Sequence, residues 1–211
     1  MANRNIIYIW DPLCSWCYGF TPVIHDLRKK FELDFNFELI SGGLATGEKI
    51  KPISEKAEYI KKKIPDIERI GGVKFGEKYI HLLEEGTYIT NSLPPALAFN
   101  VLRSFRADLA FEIAFQIHSA HFQEGKDLNN IKVYLEISEK FEINKHGFIE
   151  RYEDPAYRKL TEGDFNITHS WGIEKYPTLI IKNENGIDVI CKGYTAYLEI
   201  EKGIHERMYK N

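Results

Sequence analysis

The chain has 211 residues, 44% hydrophobic and 28% charged, with 28 Lys and Arg against 31 Asp and Glu and a net charge of −3. That length and balance fit one large folded domain, or one domain with a sizeable insertion, and offer no basic surface for nucleic acid or an anionic membrane. No apolar run approaches the ~18 residues of a membrane span, and Ile6–Trp10 is too short for the apolar core of a signal peptide, so the expected location is cytoplasmic.

Asn5–Trp10 (NIIYIW) is a largely apolar run rich in isoleucine and reads as a buried strand ended by Asp11 and Pro12. From Cys14 the pattern turns helical: Cys17, Phe20, Ile24, Leu27 and Phe31 share one face, and Pro22 should kink the helix because it has no N–H to donate. Phe35–Ile40 reads as a second strand closed by Gly42 and Gly43, and strand, helix and strand together predict a parallel βαβ unit. Residues 51–170 read as mostly helical. A charged helix covers Ser54–Ile64, and Pro94 and Pro95 open another with Ser92 as its N-cap. Further helices cover Leu109–Phe122, Ile131–Phe141 and Asp154–Ser170. Strand character returns at Thr178–Lys182, the Asn-Gly signal in NENG predicts a hairpin to Asp188–Lys192, and Leu198–Tyr209 closes the chain as a helix. The simplest architecture is an α/β domain split in sequence by a helical insertion.

Only three cysteines occur: Cys14, Cys17 and Cys191. A disulfide-stapled secreted domain carries more, and in a reducing compartment a close pair is more often catalytic or metal-binding than structural. Cys14-Ser15-Trp16-Cys17 follows a strand and opens a helix. Free N–H groups and the positive end of the helix dipole there favour thiolate at the first cysteine, the attacking species in disulfide exchange. Two intervening residues let the second sulfur reach back to resolve a mixed disulfide. Cys14 is therefore assigned as the nucleophile and Cys17 as the resolving thiol.

With Tyr176-Pro177-Thr178 leading into a strand after the insertion, the chain resembles the DsbA-like branch of the thioredoxin superfamily. The stretch WDPLCSWCYGF is more similar to its cytosolic FrnE-type members than to periplasmic DsbA. The resemblance implies a thioredoxin-like α/β fold with a large helical insertion: residues 1–50 and 171–211 form the split core, and 51–170 the insertion that caps the site and sets substrate choice. It implies a thiol–disulfide oxidoreductase or isomerase that needs no bound cofactor and no metal. Its partners are then protein or small-molecule thiols and disulfides, glutathione among them. Pro177 matches the family's cis-proline beside the cysteines, Tyr176 is expected to offer backbone hydrogen bonds to substrate, and Pro22 matches the kinking proline of the active-site helix.

Two departures stand out. Many relatives bury an acid six residues before the first cysteine; Tyr8 stands there, so water or another group must serve. The dipeptide between the cysteines is Ser-Trp where periplasmic DsbA has Pro-His, which implies a less oxidising couple. Two rivals share the architecture. Kappa-class glutathione transferases and hydroxychromene-carboxylate isomerases usually carry serine at the Cys14 position, and some DsbA-like cytosolic proteins act as non-catalytic proteolytic adaptors.

Plainer readings stand beside the sharp ones. Cys14 and Cys17 could be half of a zinc site, but a structural site needs about four ligands, and Cys191, which with a histidine could complete it, lies on a predicted strand far along the chain; Cys191 itself reads as a small buried apolar residue. His118, His121 and Glu124 share a helix face, but Phe115 and Phe122 mark it as packed surface. His25 is about three helical turns from Cys14, too far for direct proton transfer. Trp16 reads equally as an exposed substrate platform, hence a substrate-binding candidate, or as an aromatic packed on the insertion. Trp10 reads as core, Lys61–Lys63 as a solvated face, and Gly42-Gly43 and Gly71-Gly72 as turns.

Overall fold

The computed structural model describes residues 5–184 and 186–208. In chain order they form β1 (Asn5–Trp10), α1 (Ser15–Gly19), α2 (Thr21–Phe31), β2 (Asn36–Ser41), β3 (Lys51–Pro52), α3 (Ala57–Gly71), α4 (Glu77–Glu85), β4 (Ile89–Thr90) and α5 (Leu93–Phe105). There follow α6 (Ala110–Phe122), α7 (Ile131–Lys140), α8 (Lys145–Glu153), α9 (Pro155–Ser170), β5 (Thr178–Asn183), β6 (Gly186–Lys192) and α10 (Tyr197–Met208).

Among the described residues the main sheet has the order β2-β1-β5-β6. β1 is central, parallel to β2 and antiparallel to β5, with Tyr8 paired to Leu39 on one side and to Leu179 on the other. Both of its faces are covered, so Ile6 to Trp10 are all buried without alternation. β5 and β6 pair antiparallel as the hairpin signal predicts. Asn185 of that turn, and Tyr209 where the pattern ended the closing helix, lie outside the described residues.

The parallel β1–β2 pair needs a crossover, and α1 and α2 supply it. The sequence predicted one kinked helix; the structure has two. Phe20 donates its N–H to Trp16 O and Cys17 O, and Pro22 in the first turn of α2 has no N–H to carry the α1 ladder forward. The next helix also differs from its prediction: α3 starts at Ala57 and runs to Gly71 with Pro65 inside. α4, α8 and the short β3–β4 pairing were not anticipated. Among the residues of α8 the buried one is Phe148, too little to show a helical stripe. Ser92 does not cap α5 with its side chain; its Oγ accepts the Ala45 N–H and donates to Asp11 Oδ1.

Two apolar clusters form the core. The larger joins β1, β5, α2, α5 and α6, with Trp10, Phe99 and Leu102 fully buried. The smaller gathers Tyr18, Ile64, Tyr79, Leu83 and Phe122 between α1, α3, α4 and the end of α6. α1 and α3 cross where glycines meet: a methyl on Gly71 would lie 2.5 Å from the Gly19 carbonyl oxygen. Gly71 is thus a packing residue within α3 rather than a turn residue. Gly72, at φ 68°, takes the left-handed cap.

Asp11 after β1 and two histidines of α6 are buried titratable groups. Desolvation pushes His118 down to about 3 and His121 down to about 4, and pushes Asp11 up to about 6. The histidines are satisfied as neutral rings, His118 Nε2 against the Asp11 carbonyl and His121 Nδ1 against the Lys126 carbonyl, each at 3.1 Å.

Gly71→Ala tests the helix crossing. Alanine gains up to about 1 kcal/mol of helix propensity, but overpacking against backbone costs ~1–3 kcal/mol. The variant should therefore lose ~1–2 kcal/mol in urea unfolding; an unchanged midpoint would show that α1 and α3 separate freely. The buried histidines predict acid lability. Each adds stability that is complete above its unfolded value of 6.5 and lost as pH falls toward its folded value. Asp11 has the opposite sign, favouring the fold below 3.8 and losing that contribution as pH rises through about 6. The two histidines outweigh the one carboxylate, so the urea midpoint should drop between pH 7 and pH 4. His118→Gln keeps an N–H donor without titrating and should flatten that slope; an unaltered slope removes His118 as a cause.

Candidate active site

Asp11, Pro12 and Leu13 turn the chain sharply at the end of β1. Asp11 Oδ1 accepts the Leu13 N–H at 2.9 Å, and the Asp11 carbonyl accepts the Cys14 N–H at 3.0 Å. Cys14 then becomes the N-cap of α1, its Sγ accepting the Cys17 N–H at 3.2 Å. The dipole behind Cys14 is that of a five-residue helix, shorter than the sequence pattern implied.

The two sulfurs differ in access. Cys14 is 7% exposed and Cys17 is fully buried. Burial pushes the Cys17 thiol well above its ordinary value, with the Cys14 sulfur beside it adding to the rise. The Cys14 thiol faces the Tyr176 carbonyl at 3.6 Å, and the Tyr176–Pro177 bond is cis. Pro177 O accepts the Gly193 N–H at 2.7 Å, which ties the loop after β6 to the start of β5.

The Tyr176 side chain runs under the β2 loop and donates its hydroxyl to Gly42 O at 2.7 Å. A Cβ on Gly42 would lie 2.0 Å from the Tyr176 ring, so this glycine is a seat for the tyrosine more than a turn residue. Tyr8 lies beneath α1, its hydroxyl 3.4 Å from Cys17 O. Its burial and the nearby sulfurs push its ionisation further up, so it stays a neutral phenol.

The sequence reading treated Asp11 as a strand terminator and missed its larger role. Its Oδ2 accepts the Leu44 N–H at 2.8 Å and its Oδ1 accepts the Ser92 hydroxyl at 3.1 Å. The signal available was local: an Asp-Pro-Leu stretch in which the Asp side chain bonds two residues on.

Cys14, Ser15 and Trp16 open onto a cleft of about 230 Å³ whose other walls include Lys56, Tyr59, Glu174 and Tyr176. Trp16 is half-buried, 5.7 Å from the Tyr194 ring between centroids. It divides this cleft from a second recess bordered by Ile70 and Tyr194. Cys14, Cys17, Trp16 and Tyr176-Pro177 therefore converge in space.

Other residues singled out lie elsewhere. His25 is exposed on α2 beside Asp26. Cys191 is buried in β6 opposite Leu179, its thiol pushed up to about 11 by burial. Among the described residues no group of three or more His, Cys, Asp and Glu is placed to hold a metal ion, and no helix is long and apolar enough to cross a membrane.

A family model described as thioredoxin matches residues 7–202. No curated protein matches the sequence significantly. A Nitrosomonas europaea protein assigned as a candidate protein disulfide isomerase superposes with a TM-score of 0.87 at 19% identity, covering 99% of this chain and 100% of its own. The cytosolic disulfide reductase DsbM from Pseudomonas aeruginosa gives 0.77 at 20% identity, covering 97% and 98%, and has also been solved with GSH. A 2-hydroxychromene-2-carboxylate isomerase gives 0.70 at 12% identity, covering 96% and 95%. These likenesses concern the fold. The chain belongs to the thioredoxin family and has the DsbA-like form of its fold, a mixed α/β core with a helical insertion.

Proposed function

We propose that the protein is a dithiol–disulfide oxidoreductase in which Cys14 attacks and Cys17 resolves. The observation that carries this reading is the pairing of unequal sulfurs: Cys14 at the lip of a cleft, accepting a backbone N–H, and Cys17 buried one helical turn on. In the reducing direction the Cys14 thiolate attacks a substrate disulfide. A Cys14–substrate bond forms as the substrate S–S bond breaks, and the first substrate thiolate leaves. Cys17, losing its proton, then attacks Cys14 Sγ. The second substrate thiol is released and the Cys14–Cys17 disulfide remains. The oxidising direction is the reverse, and no other cofactor is needed for either.

In this reading the Tyr176 carbonyl, which faces Cys14, and the face of Trp16 hold the substrate segment. Pro177 at the same edge presents no N–H donor to the sulfurs. Residues 51–170 act as the unit that caps the cleft, contributing Lys56 and Tyr59 to its wall. Substrates are protein or small-molecule thiols and disulfides. Glutathione is included because the cleft is small, has one basic and one acidic side chain at its walls, and because DsbM has been solved with GSH. The likeness to a cytosolic reductase supports a cytoplasmic setting.

The isomerase neighbour favours a second reading, a glutathione-dependent isomerase on the same scaffold. Cys14 opposes it, since such enzymes usually carry serine there.

Insulin reduction and reduced-RNase oxidation, run on wild type and Cys14→Ser, test the first reading. Wild type should catalyse at least one, and Cys14→Ser should fall to the uncatalysed rate. Full activity in Cys14→Ser rejects the assignment, and glutathione binding without dithiol exchange supports the isomerase instead. With Ser-Trp between the cysteines, the reduction potential should lie below the roughly −120 mV of periplasmic DsbA. Titration in glutathione buffers measures this, and an equally oxidising value overturns it.

A further inference from the structure

A cavity of about 480 Å³ lies between β1, α2, α6 and the end of α7, within the size range of small-molecule sites. Neither Cys14 nor Cys17 lines it, so it is separate from the cysteine cleft. Its wall is largely aromatic. Phe111, Phe115 and Phe141 line it as half-buried rings, each with part of its surface left uncovered by the chain. Uncovered ring surface around a concave site is what a flat apolar body covers best.

The charges in the same wall decide what that body carries. Four ionisable side chains line the cavity: His25, Arg28, Glu112 and Lys140. Arg28 is engaged, with Nη1 3.2 Å from Glu112 Oε1 and its guanidinium 3.9 Å from the centre of the Phe111 ring. His25 lies beside Asp26 at 3.6 Å. Lys140 makes no ion pair among the described residues; its Nζ donates to Gln116 Oε1 at 2.8 Å, a neutral amide of the same wall. The carboxylates near it on α7 are bound elsewhere, Glu136 to Lys126 at 2.6 Å and Glu139 to Lys145. Arg28 and Lys140 against Glu112 leave one positive charge at the mouth of an aromatic cavity. The C-terminus of α7 gives that charge only a partial counterpart.

We propose that this cavity binds an aryl carboxylate, its rings against Phe111, Phe115 and Phe141 and its carboxylate accepting from Lys140 Nζ and the Gln116 amide. Lys140 has three N–H donors and spends one on Gln116, so it keeps that bond while it takes the carboxylate. Binding there needs neither cysteine and is independent of the disulfide chemistry.

2-Naphthoate is titrated into the full chain, with 2-naphthamide as the uncharged probe of the same shape. Binding is followed through the assigned methyl resonances of Ile24 and Leu39, which line this cavity, and of Ile53 and Ile60, which line the cysteine cleft. 2-Naphthoate should saturate with a dissociation constant of about 1 mM or tighter and move the Ile24 and Leu39 methyls. 2-Naphthamide should bind about tenfold more weakly. Lys140→Gln, a change at an exposed position, should bring the two probes to equal affinity. The proposal is overturned if 2-naphthoate does not saturate, or if it moves the Ile53 and Ile60 methyls without those of Ile24 and Leu39. It is equally overturned if wild type binds the amide as tightly, or if Lys140→Gln keeps the preference for the anion. All but the last of these results are read on the unaltered chain.

Discussion

The carboxylate of Asp11 fixes where the redox loop can lie. It is fully buried, and its oxygens accept from the Leu13 N–H, the Leu44 N–H and the Ser92 hydroxyl. Those donors come from the cysteine loop, the loop after β2 and the start of α5, the last two also joined directly by the reciprocal bonds between Ala45 and Ser92. A buried donor left unpaired costs about 1–3 kcal/mol, so each loop is held to the one geometry that reaches Asp11. The Asp11 carbonyl extends the same control by accepting the Cys14 N–H and His118 Nε2–H. Burial opposes the carboxylate charge and raises its pKa to about 6, and the surrounding donors offset part of that cost.

The difference between the two sulfurs follows from this anchoring. With the turn pinned, α1 starts at Cys14 and carries Cys17 into the core one turn later. The close Gly19–Gly71 crossing holds α1 against α3. Across the cleft, the Tyr176 ring is locked into the space Gly42 leaves, and its carbonyl therefore faces Cys14 without depending on a flexible loop. Both walls of the site are set by backbone contacts and small residues, which tolerate little displacement.

What the sequence disclosed was what is local in it. The apolar run of β1, the strand–helix–strand order, the hairpin and the missing N–H of Pro22 all act within a few residues, whereas the cis bond at Pro177 was expected only from the family resemblance. α4 and α8 were hidden because a nine-residue, charged helix shows too few periodic positions. Asp11 and Gly42 were misread because their partners are remote: Ser92 is 81 residues from Asp11, and Tyr176 is 134 residues from Gly42. Ser92 shows the same conflict. Its position before two prolines is a capping signal, but the buried carboxylate competes for its hydroxyl and wins.

Fold likeness at 12–20% identity does not decide chemistry, since a disulfide reductase and a hydroxychromene-carboxylate isomerase both superpose on this chain. The decision rests on how individual polar groups are used. Around Asp11 the buried donors and acceptors are matched within the protein, and the result is a rigid support for two cysteines.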